Sequence, residues 1–112
     1  MATVLDVYWR KARKSHSCQM CWRAIDPGER YHYTRAVDGG YLWTWKECAH
    51  CVAAVKILDL HAWWEGDDGI GPTAFEEYEP ETPAEARIKA DWETGWRDPG
   101  GALVDIPTAT TE

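Results

Sequence analysis

Residues 41–46 alternate clearly: Tyr41, Trp43 and Trp45 fall on one face of an extended chain, and Leu42, Thr44 and Lys46 on the other. Residues 31–35, rich in aromatic and β-branched side chains, predict a second strand, and Asp38-Gly39-Gly40 predicts the turn between the two. Asp26-Pro27-Gly28-Glu29 is a further turn. Residues 4–9 are apolar without a period that separates a short strand from a helical turn. At residue 49 the period changes. Residues 49–64 lack Gly and Pro, and Cys51, Val55, Leu58 and Ala62 share one helical face while Ala53, Ile57, Leu60 and Trp64 lie nearly opposite. A helix apolar on two sides must be sandwiched. The Gly- and Asp-rich run from residue 65 ends it, and residues 72–82, acidic with two prolines, predict an irregular crossing. Thr82-Pro83-Ala84-Glu85 is a helix start: hydroxyl cap, Pro in the first turn, Glu three residues after the cap. That helix is predicted to run to about Arg97, with Ala84, Ile88, Trp92 and Trp96 as the stripe that covers the open face of the first helix. Residues 98–101 form a turn, 102–106 a short strand and 107–112 a frayed tail.

The predicted fold class is α+β, in one domain over 1–112. Residues 1–66 carry the cysteines, the hairpin and the long helix; 67–82 cross; 83–106 pack a helix and short strand on the first helix. At this length the core is thin enough for a metal to matter to folding.

Composition adds two facts. Eight Trp and five Tyr stand against one Phe, so large amphipathic rings either complete the core or line a binding surface. Charge is divided: residues 1–64 hold nine Lys/Arg against six Asp/Glu (+3), and residues 65–112 hold three against thirteen (−10). The chain as a whole repels nucleic acid, so only a local patch could attract it. Arg10, Lys11, Arg13 and Lys14 form such a patch, readable either as a phosphate grip or as a solvated lead-in. Tyr41, Trp43 and Trp45 are readable as core or as a stacking platform for bases. No apolar run is long enough to cross a membrane, and reduced paired cysteines without a targeting segment point to the cytoplasm.

All four cysteines fall in two CxxC pairs, Cys18/Cys21 and Cys48/Cys51. Each pair turns two sulfurs toward one point, and two pairs supply the closed tetrahedral set that a structural Zn²⁺ ion takes. A disulfide pair suits a secreted chain, a redox motif explains one pair only, and rubredoxin-type iron is the serious rival because thiolates hold iron as well. His16 and His50 flank the cysteines and are expected to support the thiolates through hydrogen bonds rather than to replace them.

The order of metal turn, hairpin and second CxxC opening a helix resembles the treble-clef zinc finger. Residues 11–51 further resemble small, largely uncharacterised zinc-binding proteins of actinobacteria and their phages. The resemblance rests on Lys11-Ala12-Arg13-Lys14, on His16 before Cys18, on Pro27-Gly28-Glu29-Arg30-Tyr31, and on Trp45-Lys46 ahead of Cys48, His50 and Cys51. It implies a host-cytoplasm setting if the chain is phage-encoded. Rubredoxin-like turns usually carry Gly after the second cysteine, where this chain has Trp22 and Val52, and a long helix after the last cysteine does not suit that family. Treble clefs also underlie HNH nucleases, with His32 and His61 as the candidates here, but the chain has no Asn to orient a catalytic base. The expected function is therefore non-enzymatic protein binding, for instance by a phage protein that redirects a host factor. The partner surface would combine Trp63 with Glu76, Glu77 and Glu79 of the acidic half. The alternative is nucleic-acid binding through residues 10–16 and the hairpin aromatics; a third reading is a structural subunit that packs on a copy of itself.

Overall fold

A computed structural model of the chain describes residues 3–60 and 71–108. Three strands form an antiparallel sheet in the order β1-β4-β5: β1 (Thr3–Lys11), β4 (Arg30–Asp38) and β5 (Tyr41–Cys48). The apolar run at 4–9, undecided by period, is thus an edge strand, and it carries Arg10 and Lys11 with it. A register shift between Val4 and Asp6 brings Asp6 opposite Arg35, where the two pair at 2.7 Å. Two short strands, β2 (His16–Ser17) and β3 (Ala24–Ile25), pair around the first CxxC. Backbone bonds from Ala12 N to the Glu29 carbonyl and from Gly28 N to the Ala12 carbonyl, both 2.8 Å, tie that small ribbon to the sheet.

The sheet is buried at one end and exposed at the other. Tyr31 and Cys48, paired across β4 and β5, lie in the core, whereas Val4, Leu5, Tyr41 and Leu42 at the far end are exposed. Successive residues point to opposite faces, and the register aligns Tyr8 with Tyr33 and Arg10 with Tyr31, then Tyr33 with Lys46. These five side chains share one face.

Helix α1 (Ala49–Ile57) leaves β5 directly, with Cys48 as its N-cap. It buries Cys51 and Val55 on one side, as the period predicts. It does not run to residue 64. Leu58 is its C-cap, the Asp59 N–H turns back to the Lys56 carbonyl at 3.2 Å, and Asp59 enters the left-handed region at φ 51°. No Gly or Pro marks this stop; the apolar pattern continues through Leu60, which is buried. Ala62, Trp63 and Trp64 lie outside the described residues.

The crossing predicted to be irregular holds a helix, α2 (Pro72–Glu77), with Gly71 as N-cap and Pro72 in the first turn. It buries Ala74 and Phe75. Helix α3 (Pro83–Glu93) begins where expected, with the Thr82 hydroxyl accepting the Glu85 N–H at 3.1 Å. It ends four residues before Arg97. The Gly95 N–H bonds to the Trp92 carbonyl and the Trp96 N–H to the Asp91 carbonyl, with Gly95 at φ 66°: the Schellman arrangement that closes a helix. Residues 102–106 make one bridge, Leu103 with Arg97, and no strand. No helix among the described residues is long and apolar enough to cross a membrane.

Candidate metal centre

Two turns build the centre. In the first, the Trp22 N–H bonds to the Cys18 carbonyl at 2.9 Å and closes the loop over Cys18–Cys21. Trp22 then takes φ 67°, a left-handed conformation that costs a non-glycine residue on the order of 1–2 kcal/mol. The backbone therefore adopts the turn that a Gly would favour even though Trp occupies the position, so the missing Gly does not alter the geometry of this metal turn. In the second, Cys48 caps α1 and Cys51 sits in its first turn, near helix N–H groups whose dipole favours thiolate charge.

The four Sγ atoms lie within 4.8 Å of one another. Cys18 Sγ is 3.8 Å from Cys51 Sγ, and Cys21 Sγ 3.9 Å from Cys48 Sγ. A metal bonded to four sulfurs at about 2.3 Å sets the edge of its tetrahedron at about 3.8 Å. These separations exceed an S–S bond of about 2.05 Å, and all four cysteines are free. Three are buried and Cys21 is partly so. The donor set fits a cation that prefers soft ligands.

Donors from elsewhere point at these sulfurs. Cys18 Sγ accepts the backbone N–H of Met20 at 3.4 Å and of Cys48 at 3.3 Å. Cys51 Sγ accepts the indole N–H of Trp96 at 3.2 Å. Hydrogen bonds from the other thiols, Cys21 foremost, push the Cys18 thiol pKa down, and burial pushes that of Cys51 up.

Trp96 and Trp92 were not legible as site residues. Trp92 donates its indole N–H to the Met20 carbonyl at 2.9 Å and stacks on Phe75 with ring centroids 5.0 Å apart. Trp96, 1% exposed, is delivered by the α3 terminus, where Gly95 and Trp96 both have positive φ. Gly suits position 95, where φ is 66° and a Cβ would meet Arg23 Cβ at a tight 3.3 Å. Trp92 and Trp96 of the predicted stripe thus reach the first cysteine turn and Cys51 in the first turn of α1.

His50 is buried but faces away from the sulfurs. Its Nε2–H donates to the Val104 carbonyl at 2.6 Å, and Nδ1 lies 3.5 Å from Arg23 Nη2. Burial lowers its pKa, which favours the neutral ring this pattern needs. Arg23 in turn grips Glu29 with both terminal nitrogens, at 3.1 and 2.8 Å. This buried chain ties residue 104 to the turn before β4. His16 packs against Tyr31 in a tilted arrangement, with centroids 5.0 Å apart, and its Nδ1 lies 3.2 Å from Lys46 Nζ. Burial, then Lys46, Lys14 and Arg10, lower its pKa.

The remaining predicted residues separate into groups. Arg10, Lys11, Arg13 and Lys14 line one cavity of about 970 Å³, together with Lys46. The hairpin aromatics do not join them. Tyr41 is 79% exposed at the far end of the sheet, and Trp45 packs against the core and donates its indole N–H to Glu47 Oε1 at 2.6 Å. Trp43 is half-buried opposite Ala36. Glu76 and Glu77 are exposed on α2 and Glu79 is exposed beyond it. Trp63, like His61, lies outside the described residues. No protein-family model, curated protein or solved structure matches the chain.

Proposed function

We propose that this chain is a non-enzymatic binding module folded around one structural zinc ion, of treble-clef type. The observation that carries the proposal is the sulfur geometry, with S···S separations of 3.8 and 3.9 Å beside a tetrahedral edge of about 3.8 Å. A closed four-sulfur set leaves no open position for water or substrate, which is the arrangement of structural rather than catalytic sites. Zinc is favoured over iron by the second CxxC, which opens a helix as a treble clef does. Elemental analysis of protein purified without added metal tests this: one zinc per chain is expected, with four sulfur neighbours at about 2.3 Å in X-ray absorption. Iron in its place, or a metal-free folded chain, contradicts it.

Of the two partner classes, nucleic acid draws more support than protein. Five cations converge on one cavity whose lining includes no Asp or Glu, whereas Glu76, Glu77 and Glu79 are exposed and form no enclosed site with a tryptophan among the described residues. The protein-binding reading, including a phage protein acting in a host cytoplasm, rests on composition. Retention on single-stranded oligonucleotide resin at moderate salt favours the first reading. Salt-insensitive capture of one host protein, abolished by charge reversal at Glu76, Glu77 and Glu79, favours the second.

A further inference from the structure

The cavity on the sheet has a composition opposite to that of the whole chain. In a protein of net charge −7, Arg10, Lys11, Arg13, Lys14 and Lys46 all line it, and no acidic side chain does. Two carboxylates of the same half are otherwise engaged: Glu29 with Arg23 and Asp6 with Arg35. Tyrosine rings from two strands form its floor. Tyr8 and Tyr33 lie 5.2 Å apart between centroids, and the Arg10 guanidinium sits over both rings, at 5.6 and 5.2 Å. Tyr8 is 42% exposed.

We infer that this cavity binds a short length of single-stranded nucleic acid, with the cations on its phosphates and bases stacked on the Tyr8–Arg10–Tyr33 layer. The inference rests on the nucleic-acid reading above but moves the site: the stacking rings are Tyr8 and Tyr33, not the hairpin stripe of Tyr41, Trp43 and Trp45. Two features favour a single strand. The surface is concave, whereas reading a duplex requires an element that projects into its groove. Rings and a guanidinium plane offer π-faces, which only unpaired bases can use. Phosphate attraction can act locally in a net-negative chain, because the cavity lining holds five cations and no carboxylate and screening limits charge effects to about 10 Å. The cavity lies at the upper end of the roughly 300–1,000 Å³ typical of sites that enclose one small ligand.

Fluorescence anisotropy of labelled oligothymidylate and oligouridylate with the zinc-loaded full chain tests the inference. Native protein should bind, and log Kd should rise with log salt at a slope of about 2–3, from about 0.7 per phosphate contacted. Lys11→Glu/Lys14→Glu, at exposed positions, should weaken binding at least tenfold with an unchanged circular dichroism spectrum and zinc content. Tyr8→Ala should weaken it about tenfold with the salt slope unchanged, because it removes stacking and no charge. The inference is overturned if native protein does not bind at low salt, or if the charge-reversal variant binds equally well. It also fails if duplex DNA or a polyglutamate peptide competes as well as the single strand, the latter being the signature of an acidic protein partner. A chain that holds zinc but binds no oligonucleotide sinks this inference and leaves the zinc module standing; a folded chain without zinc sinks the module.

Discussion

Trp92 and Trp96, from the acidic half, are 8% and 1% exposed and give their indole N–H groups to the first cysteine turn and to Cys51. Tyr8, Trp9 and Tyr41, from the basic half, are 42%, 41% and 79% exposed on the sheet. The spacing predicts Trp92 and Trp96 as a buried stripe, and they are buried, but their donors reach the first cysteine turn and Cys51. The difference follows from which region can bury a ring. At the cysteine turns the Met20 carbonyl accepts the Trp92 N–H and Cys51 Sγ accepts that of Trp96, so each indole satisfies both its ring and its donor in the core. Among the described residues the far end of the sheet stays exposed, and Tyr8 lies at the surface beneath the Arg10 guanidinium. Acidic charge in the second half therefore accompanies two buried indoles, whereas the first half leaves Tyr8, Trp9 and Tyr41 exposed.

This contrast can be broken most severely at the metal. Cys51→Ser should abolish stoichiometric zinc binding and the cooperative fold of both halves, since metal-binding energy in such sites is folding energy; circular dichroism and metal content report it. Next, Trp96→Ala should cost about 3–5 kcal/mol as a large-to-small change in the core, whereas Trp9→Ala, on the exposed sheet, should stay within about 0.5 kcal/mol. Chemical denaturation of the pair compares buried and exposed rings directly, and equal losses would erase the distinction.

A smaller effect concerns Glu47, at the border between the two regions. Burial pushes its carboxyl up to about 7, against the Trp45 N–H bond that favours the charged form. The folded chain then holds a proton that the unfolded chain releases, so stability falls as pH rises from about 4.3 towards about 7. Glu47→Gln removes that loss and keeps an acceptor for Trp45. The variant should melt higher at about pH 8, by on the order of 1 kcal/mol, with an advantage that shrinks towards about pH 6. The smallest expected change is at Trp22, 70% exposed and at φ 67°. Trp22→Gly relieves the left-handed strain and should stabilise the zinc-bound chain by about 0.5–1 kcal/mol, net of the backbone freedom a glycine adds; thermal melts measure it.

What the sequence shows depends on the range of the physics. The four cysteines are legible because ligand spacing is local, and their sulfurs meet within 4.8 Å. The hairpin is legible because alternation and a Gly-Gly tip are local as well, and the Thr82 cap for the same reason. The stop of α1 is not: it depends on Asp59 adopting positive φ in a run that is apolar on both sides. Helix α2 had a local signal, Gly71 followed by Pro72, but the acidic composition around it suggested a loop. The roles of Trp92 and Trp96 were out of reach, because each bond spans the chain, from residue 92 to 20 and from 96 to 51. Periodicity shows that those indoles are buried and leaves open what buries them. The basic cavity was half legible. The cation run is contiguous, but Lys46, Tyr8 and Tyr33 join it only through strand register.

The central claim is that one metal centre holds both halves together, with the acidic half as its lid. Hydrogen exchange read residue by residue, before and after removal of metal with a chelator, tests it most directly. The account predicts that protection over 83–96 is lost together with that over 18–25 and 48–57 when the metal leaves. Protection of α3 that persists without metal would contradict it, and would make the second half a unit that folds independently of the cysteines.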